Sequence, residues 1–219
     1  MRIVEAFVGE YASGKSENAI NRSLELLKEQ RQVTIVDLDT VEPFYTLRPL
    51  KKELEQMGLR VIAWAPEETM GLGEAGSLIN QEMIWALRSP GDIILDVGYG
   101  VHGAKIFNLI EGAHADPDLR IFVVVNIARP ITGSKEDIVE YVSSLGQVHG
   151  IINNTHLGDE TTPDLIEKGA LVVTEAANEL GVPVIYSAVV EDLADEFGDR
   201  DEMGNPVKII KRFMPAAFW

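Results

Sequence analysis

The chain contains no cysteine. That removes disulfides, a thiolate nucleophile, Cys-ligated zinc and iron–sulfur clusters in one step, and it is compatible with a reducing cytoplasm, the compartment expected for it. Long apolar runs are missing too, so no segment reads as a membrane span. The opening MRIVEAFVGEYASGK runs directly into a strand pattern and not into a basic-then-apolar leader. Positive charge is scarce: 19 Lys and Arg face 35 Asp and Glu, for a formal net charge of −16. Such a field repels a phosphate backbone, so general nucleic-acid binding is not expected. An acidic protein that holds a phosphorylated ligand must concentrate positive potential locally, through backbone amides, a lysine or a divalent cation. Repeats, low-complexity stretches and composition breaks are also lacking. With 219 residues, 46% of them apolar, the expectation is a single α/β domain over 1–219.

Short apolar runs alternate with helix-length amphipathic ones. Strands are expected at 3–8, 33–38, 60–64, 93–97, 121–126, 150–153 and 184–187. Several are apolar throughout, as strands buried on both faces of a parallel sheet are. Helices are expected at 15–30, 49–57, 77–88, 105–111, 135–145 and 163–180. In ELGVP, Gly181 can cap the last helix and Pro183 blocks its continuation. Repeated β–α order implies a three-layer α/β/α fold with a mostly parallel sheet of about seven strands, because right-handed crossovers place helices on both faces. Near the end, an acidic run at 191–202 gives way to a basic one at 208–213.

Between the first strand and the first helix lies GEYASGKS, which matches the phosphate-loop pattern Gly-x4-Gly-Lys-Ser. Gly9 and Gly14 permit a backbone that turns successive amides of Glu10, Tyr11, Ala12 and Ser13 inward. Lys15 can reach the β- and γ-phosphates, the Ser16 hydroxyl can ligate Mg²⁺, and the helix start through Glu17 adds its positive dipole end. The plainer alternative is an incidental Gly/Ser turn with a capping serine. A second acid-bearing strand end, Ile93-Ile94-Leu95-Asp96, precedes Gly98: Asp96 can hold Mg²⁺ and the Gly98 amide can face a γ-phosphate, unless Asp96 is only a turn cap. Strand two ends in Asp37 and Asp39, which share a face and need a cation or donors if both are buried. Asp39 is the choice for the Mg²⁺-water shell or for orienting water. GLGEAG (71–76) and GYGVHG (98–103) both fit Gly-x-Gly-x-x-Gly, but neither sits in the first βαβ unit, so they read as loops near the phosphate or substrate.

Four separated pieces, GEYASGKS, DLDTVEP, ILDVG and GIINNTHLGDET, together resemble one branch of P-loop proteins, that of the Min/Par partition ATPases, the nitrogenase iron protein, dethiobiotin synthetase and cobyrinate amidases. The resemblance implies that Asp39 positions water and Mg²⁺ and that Asn154 reads adenine, an amide being able to pair with a donor and an acceptor on a purine edge. It also implies a signature lysine after the first loop glycine, which crosses a dimer in the partition ATPases. Here that position is Glu10, whose carboxylate cannot neutralise a partner's phosphates. Dethiobiotin synthetase lacks that lysine as well.

The histidines, His102, His114, His149 and His156, show no close metal-ligand spacing, and His156 reads as exposed unless it meets ligand. Arg48 and Arg129 each follow a strand end and can meet a phosphate or an acidic substrate, with surface arginine as the default. The tail VKIIKRFMPAAFW reads as packed on the core or on a dimer partner in preference to a membrane surface. These readings converge on a P-loop ATPase that binds ATP and Mg²⁺, with Lys15 and Asp39 catalytic and Ser16, Asp39 and Asp96 on the metal. Slow hydrolysis would drive a switch or assembly role with a protein partner or homodimer. An ATP-dependent kinase or ligase of the dethiobiotin synthetase type, and a nucleotide-binding regulator without turnover, stay open. An Asn-Lys-x-Asp run for guanine is not present.

Overall fold

The computed structural model describes residues 1–39, 47–64, 79–100 and 104–214. GLGEAG, the end of DLDTVEP, the second half of GYGVHG with His102, and the last five residues lie outside the described part. Eight strands form within it: β1 (Val4–Gly9), β2 (Val33–Leu38), β3 (Arg60–Ile62), β4 (Asp92–Val97), β5 (Leu119–Val125), β6 (Gly150–Asn153), β7 (Val184–Val190) and β8 (Val207–Ile210). The α-helices are α1 (Lys15–Lys28), α2 (Lys51–Gln56), α3 (Gln81–Ile84), α4 (Lys135–Ser144) and α5 (Pro163–Leu180).

By packing, the chain divides into two compact units, Met1–Val8 with Ala19–Arg120, and Gly9–Asn18 with Ile121–Trp219. In the first, β3, β2, β4 and β1 run side by side, each pair parallel. Every residue of β2 and β4 is buried, as an apolar strand covered on both faces must be. Their register aligns Asp37 with Asp96, so two acids reach the carboxyl end of neighbouring strands together. In the second unit β5, β6, β7 and β8 are likewise adjacent and parallel.

The long helices form where the sequence punctuates them. α4 opens on a reciprocal cap between Ser134 and Asp137. α5 opens on the Thr162 side chain with Pro163 in the first turn, and closes on Gly181 at φ +68°, a left-handed cap that suits glycine. Two expected helices are not regular. Of the 77–88 stretch, the described residues 79–88 form the single turn α3 followed by a 3₁₀ turn at Ala86–Arg88, and 105–111 becomes 3₁₀ at Lys105–Leu109. Segments this short cannot offset helix nucleation, and the extended backbone of Ile110 ends the second. The expected 60–64 strand shortens to the three residues that pair with β2. β8 was hidden in the basic tail: four residues, only Ile210 buried, following a turn built on Asp201. That carboxylate accepts from Ser187 Oγ at 2.7 Å, Met203 N at 3.0 Å, Asn205 N at 2.9 Å and Asn205 Nδ2 at 2.9 Å.

Candidate functional site

β1 ends at Gly9 and α1 begins at Lys15, so the glycine-rich loop occupies a strand-to-helix turn, the place where the phosphate-loop pattern is expected. Ser13 N closes a turn onto Glu10 O at 3.2 Å, and Ala12 and Gly14 take left-handed φ values of +56° and +89°. A Cβ at Gly9 would stand 2.4 Å from Val124 O, and one at Gly14 would stand 2.1 Å from Asn154 Nδ2. The Lys15 ammonium is folded over the loop and donates to Glu10 O at 2.8 Å. Ser13 Oγ is buried with no hydrogen-bond partner among the described residues. Ser16 and Glu17 open α1, Ser16 half-buried. Glu10 is buried and its carboxylate accepts from Tyr11 N at 3.4 Å, while the Tyr11 ring itself is exposed.

Asn154 holds this loop from the end of β6. Its Nδ2 donates to Ser13 O at 2.9 Å and its Oδ1 accepts from Asn18 Nδ2 at 3.0 Å. Asn18 in turn accepts from Tyr186 OH at 3.0 Å. The amide keeps one N–H and one lone pair beyond these bonds.

Beside the loop lies a small, half-open cleft of about 30 Å³, whose walls include Glu17, Asn126, Arg129, Asn154, His156 and Arg212. Asn126 fixes one side: Nδ2 donates to His156 O at 2.9 Å, and Oδ1 accepts from Ala128 N at 2.9 Å and His156 N at 3.2 Å. Glu17 accepts from Phe213 N and Met214 N, each at 2.8 Å. Burial raises its carboxyl above the usual range, against the pull of those two amides and of Arg212. The tail up to residue 214 is therefore packed against the head of α1, as the core-packing reading expects. Arg212 also pairs with Asp159 at 2.6 Å.

Two residues with a surface default are not surface residues. Arg129 is half-buried, with Nε and Nη2 enclosed and without a partner among the described residues, and desolvation lowers its pKa. His156 is half-buried, with Nδ1 accepting from Gly158 N at 2.8 Å and an enclosed, unpartnered Nε2. Burial, then Arg212, pushes its pKa down to about 4, so the ring is neutral at pH 7. Only their place after strand ends hinted at this. Arg212 gave no signal apart from the basic tail.

The acids of strand ends two and four lie in the first unit. Asp37, fully buried, meets Arg48 Nε at 3.1 Å, and its Oδ1 accepts from Asp39 N at 2.9 Å. Arg48 is 4% exposed and also donates to Asp39 O at 2.9 Å, so it too departs from the surface default. It is the donor that the burial of Asp37 demands. Asp39 stays half-buried, packed on Gly98, where a Cβ would stand 3.0 Å from its Oδ1. Asp96 is buried at the end of β4. Among the described residues no three His, Asp or Glu side chains gather as a metal cluster. His149 accepts from Ile121 N at 3.0 Å, and exposed His114 contacts Asn108.

No protein-family model matches the chain, and no curated protein matches it in sequence. Solved structures do resemble it. The signal recognition particle receptor FtsY from Elizabethkingia anophelis in complex with GDP superposes with TM-score 0.60 at 17% identity, covering 86% of this chain and 57% of that one. FlhF complexed with GTP/Mg²⁺ gives 0.52 at 15% identity, over 84% and 64%. A nucleotide-binding protein in complex with ADP from Archaeoglobus fulgidus gives 0.53 at 16% identity, over 88% and 84%. The chain spans less than two thirds of the FtsY and FlhF chains. At these identities the likeness shows the fold, a three-layer α/β/α arrangement with parallel strands shared with P-loop proteins.

Proposed function

We propose that the chain binds a nucleoside triphosphate with Mg²⁺ at residues 9–17 and hydrolyses it slowly, as a nucleotide-dependent switch or assembly factor acting with a protein partner or a second copy. The observation that carries this is the loop itself: left-handed backbone at Ala12 and Gly14, two glycines with no room for a Cβ, and the Lys15 ammonium over the loop carbonyl. A buried Ser13 hydroxyl without a protein acceptor adds to it, because such a group is costly unless a ligand completes it. In this reading the loop amides and Lys15 hold phosphate charge. Mg²⁺, when bound, neutralises the same charge. The metal roles of Ser16, Asp39 and Asp96, the water-orienting role of Asp39, the Gly98 amide near the terminal phosphate and the base contact of Asn154 complete the proposal. The fold neighbours support nucleotide binding, with GDP, GTP/Mg²⁺ and ADP in their sites, and do not distinguish the base. The branch resemblance alone points to ATP.

Calorimetry of Mg·ATP and Mg·GTP on wild type and Lys15→Ala, with phosphate release followed on the same samples, tests this. Micromolar binding of one nucleotide, lost in the variant, with slow release, is the expected result. Binding without release would shift the reading to an acceptor-dependent kinase or ligase or to a regulator. No binding of either nucleotide would sink it.

A further inference from the structure

Two carbonyls of the loop are held by asparagine side chains. Ser13 O accepts from Asn154 Nδ2 at 2.9 Å. Gly14 O accepts twice from Asn18, from its backbone N at 3.1 Å and from Nδ2 at 2.9 Å. A carbonyl can only accept, so both side-chain amides must present nitrogen to the loop. That leaves Asn154 Oδ1 facing Asn18, whose Nδ2 meets it at 3.0 Å with its second N–H. Asn18 is fully buried, so its own Oδ1 needs a donor in turn. The Tyr186 hydroxyl supplies it at 3.0 Å. The bonds therefore run one way, from Tyr186 through Asn18 and Asn154 to the loop, and neither amide can flip alone without setting like against like.

Strand register brings residue 186 to residue 18. β7 pairs with β6 so that Tyr186 lies opposite Ile152. Side chains alternate along a strand, so Ile152, Asn154 and Tyr186 share one face. Asn153 and Ser187 take the other, where Asn153 Nδ2 donates to Ser187 Oγ at 2.9 Å. Neighbouring residues thus serve two separate networks, one on the loop and one on the turn at Asp201.

The consequence lies in the peptide groups. The loop peptides are trans, and in a trans peptide the N–H points opposite to the C=O that precedes it. Pinning Ser13 O and Gly14 O to the asparagines turns the Gly14 and Lys15 N–H groups away from them. Resting on the proposal that residues 9–17 bind a nucleoside triphosphate, we infer that Tyr186 is a positioning residue, which through Asn18 and Asn154 aims the Gly14 and Lys15 amides at the phosphate chain. Amide dipoles fixed beforehand need no reorientation when the anion arrives. The remaining N–H and lone pair of Asn154 stay available for the base contact proposed above.

The test is calorimetric titration of wild type and Tyr186→Phe with Mg·ATP, Mg·GTP and Mg·tripolyphosphate, beside urea unfolding of both proteins. Phenylalanine keeps the ring and removes the donor. The expected result is an affinity about tenfold weaker for tripolyphosphate and for whichever nucleotide the wild type binds, in a variant that stays folded. A hydroxyl that only stabilises the fold would lower the urea midpoint and leave these affinities alone. Affinities within about twofold of wild type would overturn the inference and leave the nucleotide-binding proposal standing. A loss confined to the nucleotide would overturn it as well, since the hydroxyl would then act on the base contact and not on the amides. So would a wild type that takes a nucleotide but not tripolyphosphate, because amides aimed in advance hold the phosphate chain without a base. Absence of binding by all three probes would remove both proposals together. If the variant does not fold, nuclear magnetic resonance of isotope-labelled wild type decides. The side-chain amide protons of Asn18 and Asn154 should exchange about tenfold or more slowly than those of exposed Asn178, and the Gly14 and Lys15 amide signals should move on adding Mg·tripolyphosphate. Exchange as fast as at Asn178, or unmoved loop signals, would refute the inference.

Discussion

Methionine in place of Arg48 keeps the stem and deletes the charge that meets Asp37. The carboxylate is fully buried, the guanidinium 4% exposed and their separation 3.1 Å. Removing one partner from a pair this deep costs about 3–5 kcal/mol, whereas an exposed pair would cost less than about 1 kcal/mol. Urea unfolding followed by circular dichroism near neutral pH reads the difference. With a slope of about 2–3 kcal/mol per molar for a chain of this size, the midpoint should fall by about 1–2.5 M. Adding Asp37→Asn removes the stranded charge yet keeps an oxygen for Asp39 N, which now donates to Asp37 Oδ1 at 2.9 Å. The double variant should therefore recover most of the loss, to within about 1–2 kcal/mol of wild type. A single variant costing less than about 1 kcal/mol, or a double variant worse than the single, would refute the view that a buried charge pair anchors this strand end.

Gly14→Ala places a Cβ 2.1 Å from Asn154 Nδ2 at a left-handed φ, so it should cost about 2–4 kcal/mol in unfolding experiments and abolish nucleotide binding by calorimetry. For His156 the folded pKa, about 4, lies below the unfolded value of 6.5, so the unfolded chain binds the proton between them. Wild-type stability should fall as pH drops through that window, and His156→Gln should lack this slope in urea midpoints measured against pH. Asp201→Ala leaves the donors of Ser187, Met203 and Asn205 without their acceptor and should lower stability by about 2–4 kcal/mol. Glu17→Ala frees the amides of Phe213 and Met214, whose hydrogen exchange should become faster than that of β8, a difference mass spectrometry resolves.

β2, β6 and α5 have in the structure the limits their residues imply, because each signal is local: short, mainly apolar runs, Thr162 and Pro163 at one helix end, Gly181 at the other. The loop at 9–16 was legible for the same reason, since spacing, strand and helix lie in one short stretch. What escaped depends on partners distant in the chain. Nothing near Arg48 announces that Asp37 will need it, although the buried acid announced a need for some donor. Arg129 and His156 come from different strand ends, and Asn126, bonded to the backbone of His156, and Thr155, whose Oγ1 accepts from Ile127 N, draw the two connections together. β8 was missed because four residues with mixed exposure make a strand only once β7 offers an edge.

The ten residues Gly9–Asn18 are claimed by the C-terminal unit although they are made early, within a stretch whose flanks belong to the N-terminal one. A cut between Arg120 and Ile121 would thus place Gly14 on one fragment and Asn154, its support, on the other. Neither fragment would own the whole of the proposed phosphate cradle. Each carries part of it, and the Ser13–Asn154 and Asn18–Asn154 bonds would have to form between separate molecules. Fragment complementation at that junction would report on the seating of the loop, and a triphosphate that occupies the cradle would act as the glue that raises the yield of reassembled protein.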